Sequence, residues 1–213
     1  MATTRRARER ASKAIRSVKE SRGIPPQAKI HCRVLFSGDA RRRSQFSHLN
    51  PDDAHNLLVE TVDSMLGLGG LWFSAWVDRT RYPRQLQLVD GAPFDVGEKH
   101  LAGLACFAAI TAMQHHQGVK YELAFDPDRT KIDWGLVHLQ QATHFARTHS
   151  NAIALPEGEG SLLEMADICA YSTAQSLLAS HNRNNKRAAR FADLVRRMNI
   201  RTAEFAYTPR STI

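Results

Sequence analysis

The stretch SLLEMADICAYSTAQSLLAS, residues 161–180, decides the predicted fold, because it has the length and apolar spacing of a buried helix. At 100° per residue, Asp167 falls within the margin of its apolar arc, between Ala174 and Leu178. A buried carboxylate costs several kcal/mol unless a partner satisfies it. The sequence must therefore supply a partner, a metal ion or a cleft. The structural alternatives for the partner are an arginine and a neighbouring segment that the carboxylate caps.

Short apolar runs precede this helix and are typical of buried strands; they cover residues 29–36, 71–78, 120–126 and 151–155. Helical spacing predicts intervening helices over residues 51–68, 98–117 and 133–148, and a final basic helix over residues 184–198. Asn50 is a suitable N-cap for the first of these, with Pro51 at its first helical position. The order βαβαβαβαα favours an α/β fold, with a central, mostly parallel sheet flanked by helices.

Composition changes divide the chain into three predicted parts. A helix-compatible basic segment ends at Gly23 and the pair Pro25-Pro26, which marks a boundary. The sequence thus predicts a basic arm over residues 1–26, an α/β domain over residues 27–182, and a basic C-terminal helix and tail over residues 183–213. We expect the arm to be mobile, or to be a helix that docks only on a partner.

The net charge of +8 favours polyanionic partners such as DNA or RNA. The longest apolar run, residues 101–113, is too short to span a bilayer, so no membrane association is expected. Cys32, Cys106 and Cys169 are widely spaced in apolar contexts, which is typical of reduced thiols in a cytoplasmic protein.

Three of the predicted strands end in, or run directly into, an aspartate: Asp39, Asp78 and Asp126. Ligands bind at the carboxyl ends of strands in α/β sheets, and Asp167 could add a fourth carboxylate from a helix packed on the sheet. Oxygen ligands without His or Cys suit Mg²⁺ or Mn²⁺, and two such ions can hydrolyse a phosphodiester. The alternative is that these aspartates serve turns at the strand ends. For Asp167, the alternative is the arginine pair or the cap.

Basic residues are concentrated near both ends and after the first predicted strand. The candidates for contact with phosphates are Arg5, Arg6, Arg41, Arg42, Arg43, Lys186, Arg187 and Arg190. The alternative is a solvated surface that keeps the protein soluble. On the C-terminal helix, an apolar stripe predicts docking on the domain with the arginines facing outward: Phe191, Leu194, Val195 and Met198.

Two motifs of this chain are LLEMADICAYSTAQSLL near its end and VLFSGDA near its start. The first resembles the Leu-Gln-x-Ala-Asp-hydrophobic-x-Ala-Tyr helix near the end of members of the bacterial domain-of-unknown-function family 3800, and the second resembles their opening Asp-Glu-Ser-Gly-Asp strand end. The family belongs to the ribonuclease-H-like group, whose members hold two divalent metals with carboxylates. The resemblance implies a ribonuclease-H-like fold in which Asp167 is a metal ligand, with Asp78 or Asp126 as companions.

The first motif departs from the family pattern, because Leu35 and Phe36 stand where the family has Asp and Glu. The carboxylate that usually bridges both metals is therefore missing from the first strand, and Asp39 would have to assist from four residues further on. Three functions remain: a divalent-metal-dependent nuclease that acts on nucleic acid, a catalytically inactive ribonuclease-H-like module that binds nucleic acid or a protein partner, or a toxin or defence component in which a partner controls the basic arm.

Overall fold

The computed structural model of the protein describes residues 5–68, 72–76, 78, 80, 84–87, 93–95, 97, 121–125, 149–154, 161–181 and 186–204. The helices in this part of the chain are α1 (Arg5–Ser21), α2 (Cys32–Phe36), α3 (Gly38–Arg42), α4 (Pro51–Leu66), α5 (Ser161–His181) and α6 (Lys186–Arg197). The strands are β1 (Phe73–Trp76), β2 (Gln85–Gln87), β3 (Pro93–Asp95), β4 (Tyr121–Phe125), β5 (His149–Ala154) and β6 (Arg201–Glu204).

The chain divides into two compact units, one formed by Met1–Phe73 with Leu155–Arg201, the other by Ser74–Ala154 with Thr202–Ile213. In the first unit, α1 packs on α4 and α5, and α5 packs on α6. Its core consists of side chains from all four long helices and the segments between them: Ala11, Ile15, Ile24, Ala28, Ile30, Cys32, Leu35, Phe46, Leu49, Ala54, Leu57, Leu58, Val62, Met65, Trp72, Met165, Ile168, Cys169, Phe191, Leu194 and Met198.

Local sequence explains where these helices begin and end. The side-chain oxygen of Asn50 accepts hydrogen bonds from the backbone N–H groups of Asp52 and Asp53, both at 2.8 Å, so the predicted N-cap of α4 is confirmed. After α1 the chain turns at Gly23, whose φ of 66° lies in the left-handed region that glycine adopts without strain. The predicted helices at α4, α5 and α6 are confirmed.

The second unit is described only in short strands. β2 and β3 pair antiparallel, while β4 and β5 pair in parallel with Ala124 opposite Ile153. β1 pairs with β6. The predicted strands at β1, β4 and β5 are confirmed, and the parallel pair is of the kind that an α/β fold requires. A central sheet is not found among the described residues, so the ribonuclease-H-like fold stays a prediction. The predicted helices over residues 98–117 and 133–148 lie outside the described part.

Two expectations differ from the structure. The predicted first strand over residues 29–36 is wrong, because residues 32–36 form the short helix α2. A helical turn here places the side chains of Cys32 and Leu35 in the core. An apolar run that contains β-branched residues was therefore insufficient to specify a strand. The basic arm also differs, since α1 docks on its own chain with Ala11 and Ile15 fully buried. None of the described helices combines the length and the hydrophobicity that a membrane span requires.

Candidate functional site

Helix α5 places two carboxylates, Glu164 and Asp167, one turn apart next to the segment that leads into α2. Residues three apart lie on neighbouring positions of one helix face. Met165, Ile168 and Cys169 fix the rotation of α5, because they are buried in the core. The two acidic side chains therefore face residues 30–32, and we call them the α5 carboxylates.

Asp167 acts as a helix cap. Its Oδ2 accepts a hydrogen bond from the backbone N–H of Cys32 at 2.7 Å and lies 3.2 Å from Nδ1 of His31. Cys32 is the first residue of α2, and the N-cap residue His31 provides no capping side chain. A helix N-terminus leaves backbone N–H groups unpaired and favours a negative charge nearby. Asp167 thus supplies from a distant part of the chain the acceptor that the local sequence lacks.

Glu164 holds the same segment and also the end of α1. Its Oε2 accepts a hydrogen bond from the backbone N–H of Ile30 at 3.0 Å, and its two oxygens lie 2.8 and 2.7 Å from Nζ of Lys19. Glu164 is 7% exposed and Lys19 only 2%. Burial raises the pKa of Glu164, while the Lys19 ammonium opposes that rise. This buried ion pair fastens α1 to α5.

The thiols of this unit are buried and protonated. Burial raises the pKa of Cys32 well above its usual value, and the Asp167 carboxylate raises it further. Burial likewise raises the pKa of Cys169 to about 11. Since the thiolate is the reactive form, neither cysteine is an activated nucleophile.

The predicted metal ligands fall in different surroundings. In the first unit, Asp39 is 78% exposed at its side chain and pairs with Arg42 three residues on. The side chain of Asp167 is 34% exposed, and among the described residues its contacts are made by Oδ2. In the second unit, Oδ1 of Asp78 accepts hydrogen bonds from the N–H and hydroxyl of Thr80 at 2.9 and 2.6 Å, which is turn chemistry. Asp126 lies outside the described residues.

No group of three or more His, Cys, Asp or Glu side chains is placed to hold a metal ion in the described part of the chain. The described geometry of Asp167 corresponds to the capping role that the sequence left open. Mg²⁺ or Mn²⁺ binding stays a prediction, because a ligand set with Asp126 includes a residue outside that part.

The predicted phosphate-binding residues differ in their exposure and in whether they already contact another group of the protein. Arg6 is exposed on α1, whereas the side chains of Arg5, Lys186 and Arg187 lie outside the described part. After α2, the Arg41 guanidinium donates to the carbonyl oxygen of Leu35 at 2.7 Å, and Arg42 pairs with Asp39. Arg43 is exposed. On α6, Arg190 pairs with Asp52 of α4.

Sequence reasoning missed the parts played by Lys19, Glu164 and His31. Lys19 follows Ala11 and Ile15 at four-residue intervals, which places it on the buried face of α1. That spacing, together with the acidic residue Glu164 on α5, was the signal from which a buried ion pair could have been predicted. His31 carried no comparable signal, because its role depends on α2 being a helix.

The chain matches no protein-family model, no curated protein and no solved structure at a significant level. The resemblance to family 3800 therefore rests on the two motifs alone.

Proposed function

We propose that this protein binds the phosphodiester backbone of nucleic acids and leaves it intact. The observation that supports this proposal is a surplus of exposed cations in the first unit without an ion pair among the described side chains: Arg6, Arg10, Lys13, Arg16, Lys29, Arg33 and Arg43. In contrast, most exposed carboxylates of this unit already pair with arginines, as Glu60 does with Arg22 and Asp63 with Arg197.

Uncompensated cations attract a polyanion and release its condensed counterions, which gives affinity with little dependence on sequence. The capping role of Asp167 supports binding without hydrolysis, because one oxygen of its carboxylate is committed to the backbone of α2. The buried, protonated thiols of Cys32 and Cys169 support a reducing, cytoplasmic location as part of the same proposal.

A second candidate is divalent-metal-dependent hydrolysis on a ribonuclease-H-like fold. It is favoured by the free Oδ1 of Asp167, which has no hydrogen bond among the described residues and belongs to a partly exposed side chain. In this alternative, Asp39, Asp78 and Asp126 would supply the other oxygen ligands for Mg²⁺ or Mn²⁺.

One assay separates the two candidates. Labelled single-stranded DNA, duplex DNA and RNA are incubated with the full chain in Mg²⁺, Mn²⁺ or EDTA, and binding and cleavage are followed together. We expect binding that weakens steeply with salt, is retained in EDTA, and yields no cleaved product.

An Asp167→Asn variant provides the control, since its amide oxygen can still accept from the Cys32 N–H while the negative charge is lost. Cleavage that requires the metal and disappears in this variant would support the hydrolase instead. If the protein shows salt-sensitive binding to none of the three nucleic acids, the proposed function itself is contradicted.

A further inference from the structure

One face of α1 carries a row of cations, which we call the α1 row: Arg6, Arg10, Lys13 and Arg16. The spacing of four, three and three residues places them on one side of the helix. All four are exposed, and none forms an ion pair with a side chain that the structure describes. Two acidic residues, Glu9 and Glu20, share this side, so the row keeps a net positive charge.

The opposite face of α1 is fixed in the core. Ala11 and Ile15 are fully buried against α4 and α5, and Lys19 is held by the buried carboxylate of Glu164. The row is therefore presented on a docked helix, so its helical backbone is already ordered before a partner arrives. Preorganisation reduces the entropy that binding must overcome.

The dimensions of the row match a nucleic-acid strand. Ten residue steps from Arg6 to Arg16 extend about 15 Å along a helix at a rise of about 1.5 Å per residue. One strand of duplex DNA presents a phosphate about every 3.4 Å of axis, so about four phosphates occupy the same length. Four regularly spaced cations therefore face a comparable number of regularly spaced negative charges.

An anionic membrane is the competing partner for a basic amphipathic helix. Such a helix binds a membrane by inserting its apolar face between the lipids. In this protein that face is already occupied, because Ala11 and Ile15 lie in the core of the first unit. The exposed side carries the α1 row together with Glu9 and Glu20, so it offers charged groups with a net positive charge, which favours a phosphodiester backbone over a lipid surface.

We infer that the α1 row is the primary contact of this protein with a nucleic-acid backbone, and that α6 contributes little. This inference rests on the proposed function, since it identifies the surface through which the binding takes place. The basic residues of α6 whose side chains the structure describes provide the internal comparison: Arg190 pairs with Asp52, and Arg196 and Arg197 pair with Asp193.

Two matched triple variants of the full chain test the inference. The first is Arg10→Gln, Lys13→Gln and Arg16→Gln on α1; the second is Arg190→Gln, Arg196→Gln and Arg197→Gln on α6. Each removes three positive charges from exposed positions and keeps helix propensity nearly constant. Binding to labelled duplex DNA, single-stranded DNA and RNA is measured over a range of salt concentrations, with circular dichroism to verify folding.

For the α1 variant, we expect the slope of log Kobs against log salt to become shallower by about 2 to 3, at roughly 0.7–0.9 per phosphate contact. Affinity should fall on the order of a hundredfold at about 0.1 M salt. The α6 variant should change the slope by less than about one.

Equal losses in both variants would overturn the inference, because net charge alone would then explain the binding while the proposed function would stand. Absence of binding by the unsubstituted protein would contradict the proposed function first. Binding to vesicles of anionic lipid that is stronger than binding to nucleic acid, and is lost in the α1 variant, would assign the row to a membrane and overturn the inference as well.

Discussion

Helices α1 and α6 are both basic and amphipathic, yet their cations have different surroundings. The α1 row has no ion pairs with described side chains, whereas Arg190 and Arg197 of α6 pair with Asp52 and Asp63 of α4. The difference arises because Asp52 and Asp63 of α4 pair with arginines of α6, whereas α1, which also packs on α4, has its row on the face opposite its buried residues. A count of basic residues thus overstates the charge that a partner meets at α6.

The two helices are also anchored differently. α6 is held by apolar burial, with Phe191 in edge-to-face contact with the rings of Phe36, Tyr171 and His55. α1 combines a narrow apolar stripe with the buried ion pair between Lys19 and Glu164. Breaking a buried pair by removing one partner leaves an uncompensated charge. α1 is therefore the helix that depends on electrostatics for its attachment.

The largest expected effect tests this dependence. Lys19→Met keeps most of the side-chain volume but strands the Glu164 carboxylate in the core, so we expect a loss of about 3–5 kcal/mol in the free energy of unfolding. Urea denaturation measures it. Lys13→Met, on the exposed face of the same helix, is the control and should remain within about 0.5 kcal/mol of the unsubstituted protein. Equal stabilities for the two variants would show that α1 does not need the ion pair.

The effect of Lys19→Met should depend on pH in a defined direction. Burial raises the folded-state pKa of Glu164, so its contribution to stability is greatest below the unfolded-state pKa and is lost as pH rises through the folded-state value. Removing Lys19 removes an interaction that lowers this pKa, so the folded-state value rises further. The destabilisation should thus be larger at about pH 8 than at about pH 5, and Glu164→Gln in the same chain should abolish that difference.

The sequence predicted the local features of the fold and the candidate site better than the features that depend on distant residues. The cap of α4 at Asn50 and the docking stripe of α6 were predicted, because the responsible residues are neighbours in sequence. The helix at residues 32–36 was not predicted, because its capping acceptor, Asp167, lies 135 residues away. The sequence did indicate that Asp167 needed a partner, and among the alternatives it could not choose the cap.

The sequence likewise does not show which cations near the two ends of the chain form ion pairs. Whether Arg190 is available depends on its contact with Asp52, a residue 138 positions away. For Lys19, the four-residue interval from Ile15 was an available signal of burial, but the identity of its partner required the packing of α1 on α5. Spacing along one helix therefore predicts which face is buried, and the fold alone decides which charges cancel.

An intermediate effect tests the cap that Asp167 provides. Asp167→Ala removes the acceptor for the Cys32 N–H, and we expect a loss of about 0.5–2 kcal/mol in the free energy of unfolding. Asp167→Asn keeps an acceptor at the same position, so it should lose less than the alanine variant. If both substitutions destabilise the protein equally, the negative charge matters and the backbone hydrogen bond does not. Because Phe36 of α2 packs edge-to-face on Phe191, the alanine variant should also shift the aromatic ring resonances of Phe191 in NMR spectra, and the asparagine variant should shift them less.

The smallest expected effect concerns a variant in which the cations of α6 lose their ion pairs with α4 and so resemble the cations of α1. Asp52→Asn together with Asp63→Asn removes the α4 carboxylates that pair with Arg190 and Arg197. Both arginines would then be available to phosphates, although Asp193 still shares Arg197. We expect affinity for nucleic acid to rise by roughly a few-fold at low salt, with the slope steeper by about one.

Asp52→Asn replaces a carboxyl group by an amide that does not titrate. In the native protein, the pKa of Asp52 is lowered chiefly by its hydrogen bond with Arg190, so this substitution removes a charged partner of that arginine. A matched control is Asp39→Asn, which frees Arg42 of α3 and removes one exposed carboxylate. If this control raises affinity as much as each α4 substitution does, the gain reflects net charge alone. A gain confined to the α4 variants would show that α6 has a latent phosphate-binding face, and that the carboxylates of α4 are what distinguish it from α1.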